Sequence, residues 1–170
     1  MERRTDTIIM VALAFFVTSL IIGYAIHTNW ILRDTPLIRA VAEDNVQHVK
    51  ALLDEGVSIN ERSRMLHHWT PLICAIFHGQ TNMARFLVEA GADVNLANRD
   101  GETPLMLAKE LHDGANPMVK LLIAHGANLD AKDKYGATVS NYASADPREP
   151  GVIETLEAAR GEKQTISLKK

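Results

Sequence analysis

The sequence predicts an all-α chain, a solenoid of about four stacked helix pairs preceded by one N-terminal hydrophobic helix. Three observations carry this expectation. Segments opening with Thr-Pro-Leu recur at Thr35, Thr70 and Thr103, spaced by 35 and 33 residues, and "ATVSNYA" sets a fourth start at Thr138, another 35 along. The segments also end alike, in "LLDEGVSIN", "LVEAGADVN" and "LIAHGANLD". Ahead of them, Ile8 to Ile26 runs for nineteen residues without a charge.

The apolar run comes first. At roughly 1.5 Å per residue it reaches about 28 Å, close to the roughly 30 Å hydrocarbon thickness of a bilayer. Eleven of its residues are Leu, Ile, Phe or Val, which together favour insertion by roughly 4 kcal/mol. Residues 1–28 are therefore expected to form a single-pass membrane anchor, with 29–34 as a linker. Cleavage as a signal sequence stays open, because "GYA" at Gly23 to Ala25 places small residues after a fifteen-residue apolar stretch. Arg3, Arg4 and the amino terminus crowd one end, whereas Arg33 and Arg39 lie farther from the other. By the positive-inside bias the N-terminus is cytoplasmic and the following domain extracytoplasmic, periplasmic in a bacterium, whether anchored or cleaved. The opposite orientation, with the domain in the cytoplasm, is the alternative.

Residues 35–161 form the repeat domain and 162–170 a polar tail. Each Thr-Pro opens a helix: the threonine oxygen caps free amides, and proline, with no N–H of its own, fits the first turn. Leu72, Ala75 and Ile76 share one helical face; after a break at Gly79, Met83, Phe86, Leu87 and Val88 share another. Gly56, Gly91 and Gly126 follow the second apolar run in each unit, where a helix stop needs a left-handed residue. Helices this short do not stand alone, so neighbouring units must stack to bury their faces.

These residues carry a resemblance. The pattern "TPLxxA…LLxxGAxxN" at a period near 33 resembles the ankyrin repeat over about Ile31 to Arg160, and the resemblance implies a curved stack of helix pairs with projecting hairpin loops. There are departures. The family's histidine after Thr-Pro-Leu is replaced by Ile38, Ile73, Met106 and Asn141, which implies loss of a loop-tying hydrogen bond and looser hairpins. The second repeat has His68 where a glycine is expected two residues before its threonine, and its loop is two residues longer. A similar insertion lies around "HDGANP", after which Asn116 and Pro117 restart the second helix. The fourth repeat degenerates as a polar cap would, and "GEKQTISLKK" reads as a frayed tail.

Composition narrows the chemistry. A net charge of -3, all of it on residues 35–170, is too weak and mixed for nucleic-acid binding. Cys74 is the one cysteine, which excludes a disulfide or a thiolate zinc cage within one chain. No Gly-rich phosphate cradle and no paired-His or Cys-x-x-Cys spacing is present, so no catalytic, metal or cofactor residue and no small-molecule substrate is expected. His67 and His68 are read as neighbours in an extended loop whose side chains diverge. Cys74 reads as core, and His48 and His125 as helix-end surface residues.

Binding of a protein partner is what the resemblance implies, through hairpin residues before each threonine and two positions late in the first helix. Carried over, these are Leu66, His67, Trp69, Phe77 and His78 in the second repeat. In the third they are Arg99, Asp100, Glu102, Glu110 and Leu111, and in the fourth Lys134, Tyr135 and Ala137. Trp69 and Phe77 stand out as large rings of the kind that dominate binding surfaces. Trp69 has a second reading, folding back to fill a gap beside the loop insertion. The charged set of the third repeat is either a rim that selects the partner or a solvated face. An assembly of copies of this chain at the membrane is the alternative use of the same stack.

Overall fold

The computed structural model describes residues 34–65, 67–108, 117–144 and 150–167. The chain divides into two units, 1–34 and 35–170, and the described helices all belong to the second. The hydrophobic helix expected over Ile8 to Ile26 lies outside the described residues, as does the insertion at 111–116. Among the described residues no helix is long and apolar enough to cross a membrane.

Among the described residues eight helices follow in pairs: α1 (Pro36–Ala42) with α2 (Val46–Asp54), α3 (Pro71–Phe77) with α4 (Thr81–Glu89), α5 (Pro104–Ala108) with α6 (Pro117–Ala124), and α7 (Val139–Ser144) with α8 (Pro150–Ser167). Inner helices stack in the order α1, α3, α5, α7, and the outer layer includes α4 on α6 and α6 on α8. No strand occurs among the described residues.

The Thr-Pro starts act as caps. Thr35 and Thr70 hold extended backbone while their hydroxyls accept from the Ile38 and Ile73 amides, at 3.4 and 3.2 Å. Thr103 accepts likewise from Met106, at 3.4 Å. At Thr138, which has no proline after it, the cap is inverted: Asn141 Oδ1 accepts from the Thr138 amide at 2.8 Å and from its hydroxyl at 2.9 Å. The asparagine that replaces the family's histidine therefore restores a tie at this turn.

The glycine stops behave as expected. At φ +90, +96 and +87°, Gly56, Gly91 and Gly126 donate to Leu53, Val88 and Ile123, and the next amides reach back to Leu52, Leu87 and Leu122. These paired bonds close the last turn of each outer helix. Asn60 and Asn95, at the ends of successive units, join repeat to repeat by accepting from the Asp93 and Asn128 amides at 2.9 and 2.7 Å.

Between the layers lies one continuous core. Every residue of α3 from Pro71 to Ile76 is buried, while α4 buries only Met83, Ala84, Leu87 and Val88. Cys74 is part of this core, its thiol 4.0 Å from the Ile38 carbonyl. The stack closes on α8, where Leu156 is buried and Arg160 reaches the Leu129 carbonyl and the Asp130 carboxylate. The tail expected to fray from Gly161 continues as helix to Ser167. One glycine costs a helix only about 1 kcal/mol, and the Glu, Lys and Gln that follow it are good helix formers.

Candidate functional site

Three hairpin fingers project between the helix pairs, and they are not alike. Finger B (Asn98–Glu102) and finger C (Asp133–Ala137) span five residues; finger A (Ser63–Trp69) spans seven. Each is closed by a bond from its first amide to its last carbonyl, at 2.8 Å in A and 2.9 Å in B and C.

The short fingers are held from inside. Asn98 Oδ1 accepts from the Asp100 and Glu102 amides, at 2.9 and 3.0 Å, and Asn98 Nδ2 donates to Glu102 Oε2 at 2.7 Å. Asp133 Oδ1 does the same for Tyr135 and Ala137, both at 2.8 Å. These buried side chains tie fingers B and C from within. Glycine completes the turn in each, Gly101 and Gly136 both at φ +80°. Gly101 has a second reason to be glycine. A Cβ there would lie 3.0 Å from Asp133 Cα and from the Lys134 nitrogen.

Finger A has a shorter side chain at the tie and no glycine in its turn. Ser63, at the place of Asn98 and Asp133, ties Met65 by its hydroxyl at 3.1 Å, and the two residues before Trp69 are His67 and His68 at φ +43 and +59°. The pair therefore sits in a left-handed turn and not in the extended loop expected. A bulky residue in that region is strained by roughly 1–2 kcal/mol. Two extra residues have to be turned within a hairpin whose ends are still pinned by the Ser63–Trp69 bond, and the tight turn absorbs them.

Successive fingers are bonded edge to edge. The Arg99 amide donates to the His67 carbonyl at 2.8 Å and the Lys134 amide to the Asp100 carbonyl at 2.9 Å. Side chains follow the same order, with Lys134 Nζ 2.6 Å from Asp100 Oδ1 and His67 Nδ1 3.6 Å from Asp100 Oδ2. The hydrogen bond from Lys134 holds the Asp100 carboxyl below its ordinary range, and that same bond pushes the Lys134 ammonium up. Lys134 also lies over the Tyr135 ring, 4.8 Å from its centre.

One polar network was not legible in the sequence. Tyr142 on α7 sends its hydroxyl to Asp133 Oδ2 at 2.7 Å, with Glu102 Oε1 at 3.2 Å. A phenol has one proton, so the shorter bond to Asp133 takes it and Glu102 is the weaker acceptor. Burial, reinforced by the bond to Asp133, pushes the Tyr142 phenol up, and the phenol in turn lowers the Asp133 carboxyl. The one signal was a tyrosine in step with Leu107 and Cys74 at the repeat spacing.

Around the base of finger A lies an aromatic cluster. Trp69 and Phe77 meet with ring centres 4.4 Å apart and planes tilted by 50°, and His78 stands edge-on to Phe77 at 5.6 Å. Phe77 is the last residue of α3, where the helix emerges from the stack, and it is 55% exposed. Trp69 is half-buried against the core, so both of its readings hold in part.

The expected site residues divide accordingly. His67, Phe77, His78, Arg99, Lys134 and Tyr135 are exposed. Asp100 and Glu102 are half-buried and engaged within the protein, and Ala137 is half-buried at the end of finger C. Glu102 thus holds finger B to α7, in place of the solvated or selecting role expected of it. Leu66, Glu110 and Leu111 lie outside the described residues.

A family model described as ankyrin repeats (3 copies) matches residues 8–98, more than half of the chain, and a model for a single ankyrin repeat matches residues 100–134. The chain belongs to the ankyrin repeat family. Its ankyrin match begins at Ile8 and so includes the apolar run, while α7 and α8 lie beyond the matched residues, in keeping with their degenerate pattern. No curated protein matches the chain. Ankyrin repeats imply a protein-interaction module, and the all-helical stack with three projecting fingers fits that role.

Proposed function

We propose that this ankyrin stack captures one protein partner through finger A and the aromatic cluster at its base, with Phe77 as the apolar anchor. The partner is held, inhibited or protected at a membrane, and the chain catalyses nothing. The observation that carries the reading is Phe77, a large ring left 55% exposed and in contact with a half-buried tryptophan; among the described residues the other exposed large ring is Tyr135, on finger C. Covering the exposed half of such a ring with a partner would recover roughly 1 kcal/mol. Arg99 lies on finger B, bonded by its amide to finger A, and Lys134 and Tyr135 lie one finger further along.

The membrane part of the proposal rests on the nineteen uncharged residues of Ile8 to Ile26, with the ankyrin domain on the extracytoplasmic side. A second reading is favoured by the start of the ankyrin match at Ile8: this segment belongs to the repeat array and spans no membrane. Alkaline carbonate extraction separates the two. Retention in the membrane pellet supports the anchor, and release with soluble proteins supports the array. A reporter fused after Lys170 that is active only in the cytoplasm would overturn the extracytoplasmic placement.

Photo-crosslinking with benzoylphenylalanine in place of Phe77, in source cells, tests the binding role. One dominant captured protein supports it. Capture of the chain itself would point to an assembly of copies, and capture of nothing would remove Phe77 from any interface.

A further inference from the structure

Resting on that reading of the site, we infer that the partner offers an acidic, extended segment that runs along the fingers beside the residue seated on Phe77. Charge on the fingers is unevenly placed. Fingers A to C and their flanks, residues 61–69, 97–102 and 131–137, carry Arg62, Arg64, Arg99, Lys132 and Lys134 against Glu61, Asp100, Glu102 and Asp133. By count the two signs nearly balance, but by position they do not.

Three of the four carboxylates are bonded into the protein by neutral donors, and the fourth, Asp100, is paired with Lys134. Glu61 accepts from the Thr35 hydroxyl, Asp100 from Lys134, Glu102 from Asn98, and Asp133 from Tyr142 and two finger amides. Lys134 is already paired with Asp100, whereas Arg62, Arg99 and Lys132 are exposed, Arg62 donating only to the neutral carbonyl of Ala97. His67 and His68, also exposed, can add only positive charge. The edge that meets a partner is therefore cationic although the domain as a whole is not.

Direction follows from the order of the stack. Glu43 and Asp44 are exposed at the end of α1, the first repeat, so the acidic segment extends from Phe77 toward fingers B and C, away from them. Glu110 lies outside the described residues and is not placed in this surface. Complementary charge of this kind chiefly selects the partner and speeds encounter, and salt screens it.

The test is display of random twelve-residue peptides against the full chain, followed by titration of the recovered peptides against the parent, Phe77→Ala and Arg99→Glu/Lys132→Glu. The inference expects Asp- and Glu-rich peptides with one aromatic or aliphatic residue. Their affinity should fall at least about tenfold in both variants and weaken with added salt, while the double variant melts as the parent does. Neutral or basic peptides that depend on Phe77 but not on Arg99 and Lys132 would overturn the acidic partner and leave the proposed function standing. Peptides indifferent to Phe77, or no recovery, would overturn the binding role of the site itself.

Discussion

Finger A and finger B occupy equivalent places in consecutive repeats, yet they use their residues in opposite ways. In finger B a buried asparagine, a glycine and a glutamate satisfy one another, so that almost every polar group is used within the hairpin or against α7. Finger A is two residues longer, has a serine for the asparagine and a left-handed histidine for the glycine, and ends on a tryptophan stacked against an exposed phenylalanine. The lesson is that one repeat position can be built for the fold or for a partner. Which use it has is read from what the polar atoms already satisfy.

The largest break in this comparison should come at Gly101. Gly101→Ala puts a Cβ 3.0 Å from the backbone of finger C and forces alanine to φ +80°, and we expect a loss of about 3 kcal/mol in denaturant unfolding. His68→Gly at the equivalent place in finger A should do the reverse, adding about 0.5–1 kcal/mol by removing left-handed strain. Equal signs for the two would mean that the fingers do not differ as described.

Next in size are the ties. Asn98→Ala leaves two finger amides without their acceptor and should cost about 2 kcal/mol, against about 1 kcal/mol for Ser63→Ala. At the aromatic cluster, Trp69→Ala should lower stability by about 1–2 kcal/mol, because the ring is half-buried, whereas Phe77→Ala should change it by less than about 1 kcal/mol. Each should weaken the partner complex by about 2 kcal/mol, measured by calorimetry once the partner is in hand.

The smallest effect is electrostatic. Asp100 and Asp133 both have carboxyls held below their ordinary range, so each adds stability that is fully present above the unfolded value near 3.9 and is lost as pH falls through the lower folded value. The melting midpoint should therefore fall on acidification from about pH 5 to below pH 3. Carbon-13 NMR titration of Lys134→Met should show Asp100 moving up toward its ordinary range while Asp133 stays low.

Most of the fold was legible because it is periodic. Thr-Pro starts, glycine stops and apolar faces report local backbone physics, and they set where the first three inner helices begin and the outer helices end. The finger ties were not legible, because Asn98 and Asp133 are polar residues in turns and nothing local distinguishes a buried acceptor from a solvated one. Tyr142 bonds to residues nine and forty positions away, a pairing that only the stacked repeats create. The extended histidine pair failed for a related reason: a two-residue insertion can lengthen a loop or tighten its turn, and the choice depends on where the hairpin is pinned.

The central claim is that finger A is shaped for a partner and finger B for the stack. Its most direct test replaces residues 63–68 by Asn-Arg-Asp-Gly, giving finger A the length and ties of finger B while keeping Trp69. Melting and crosslinking from position 77 are then measured on the same protein. The account predicts a midpoint no lower than the parent's and a crosslinking yield reduced at least about tenfold. Capture undiminished, or a stack that unfolds, would contradict it.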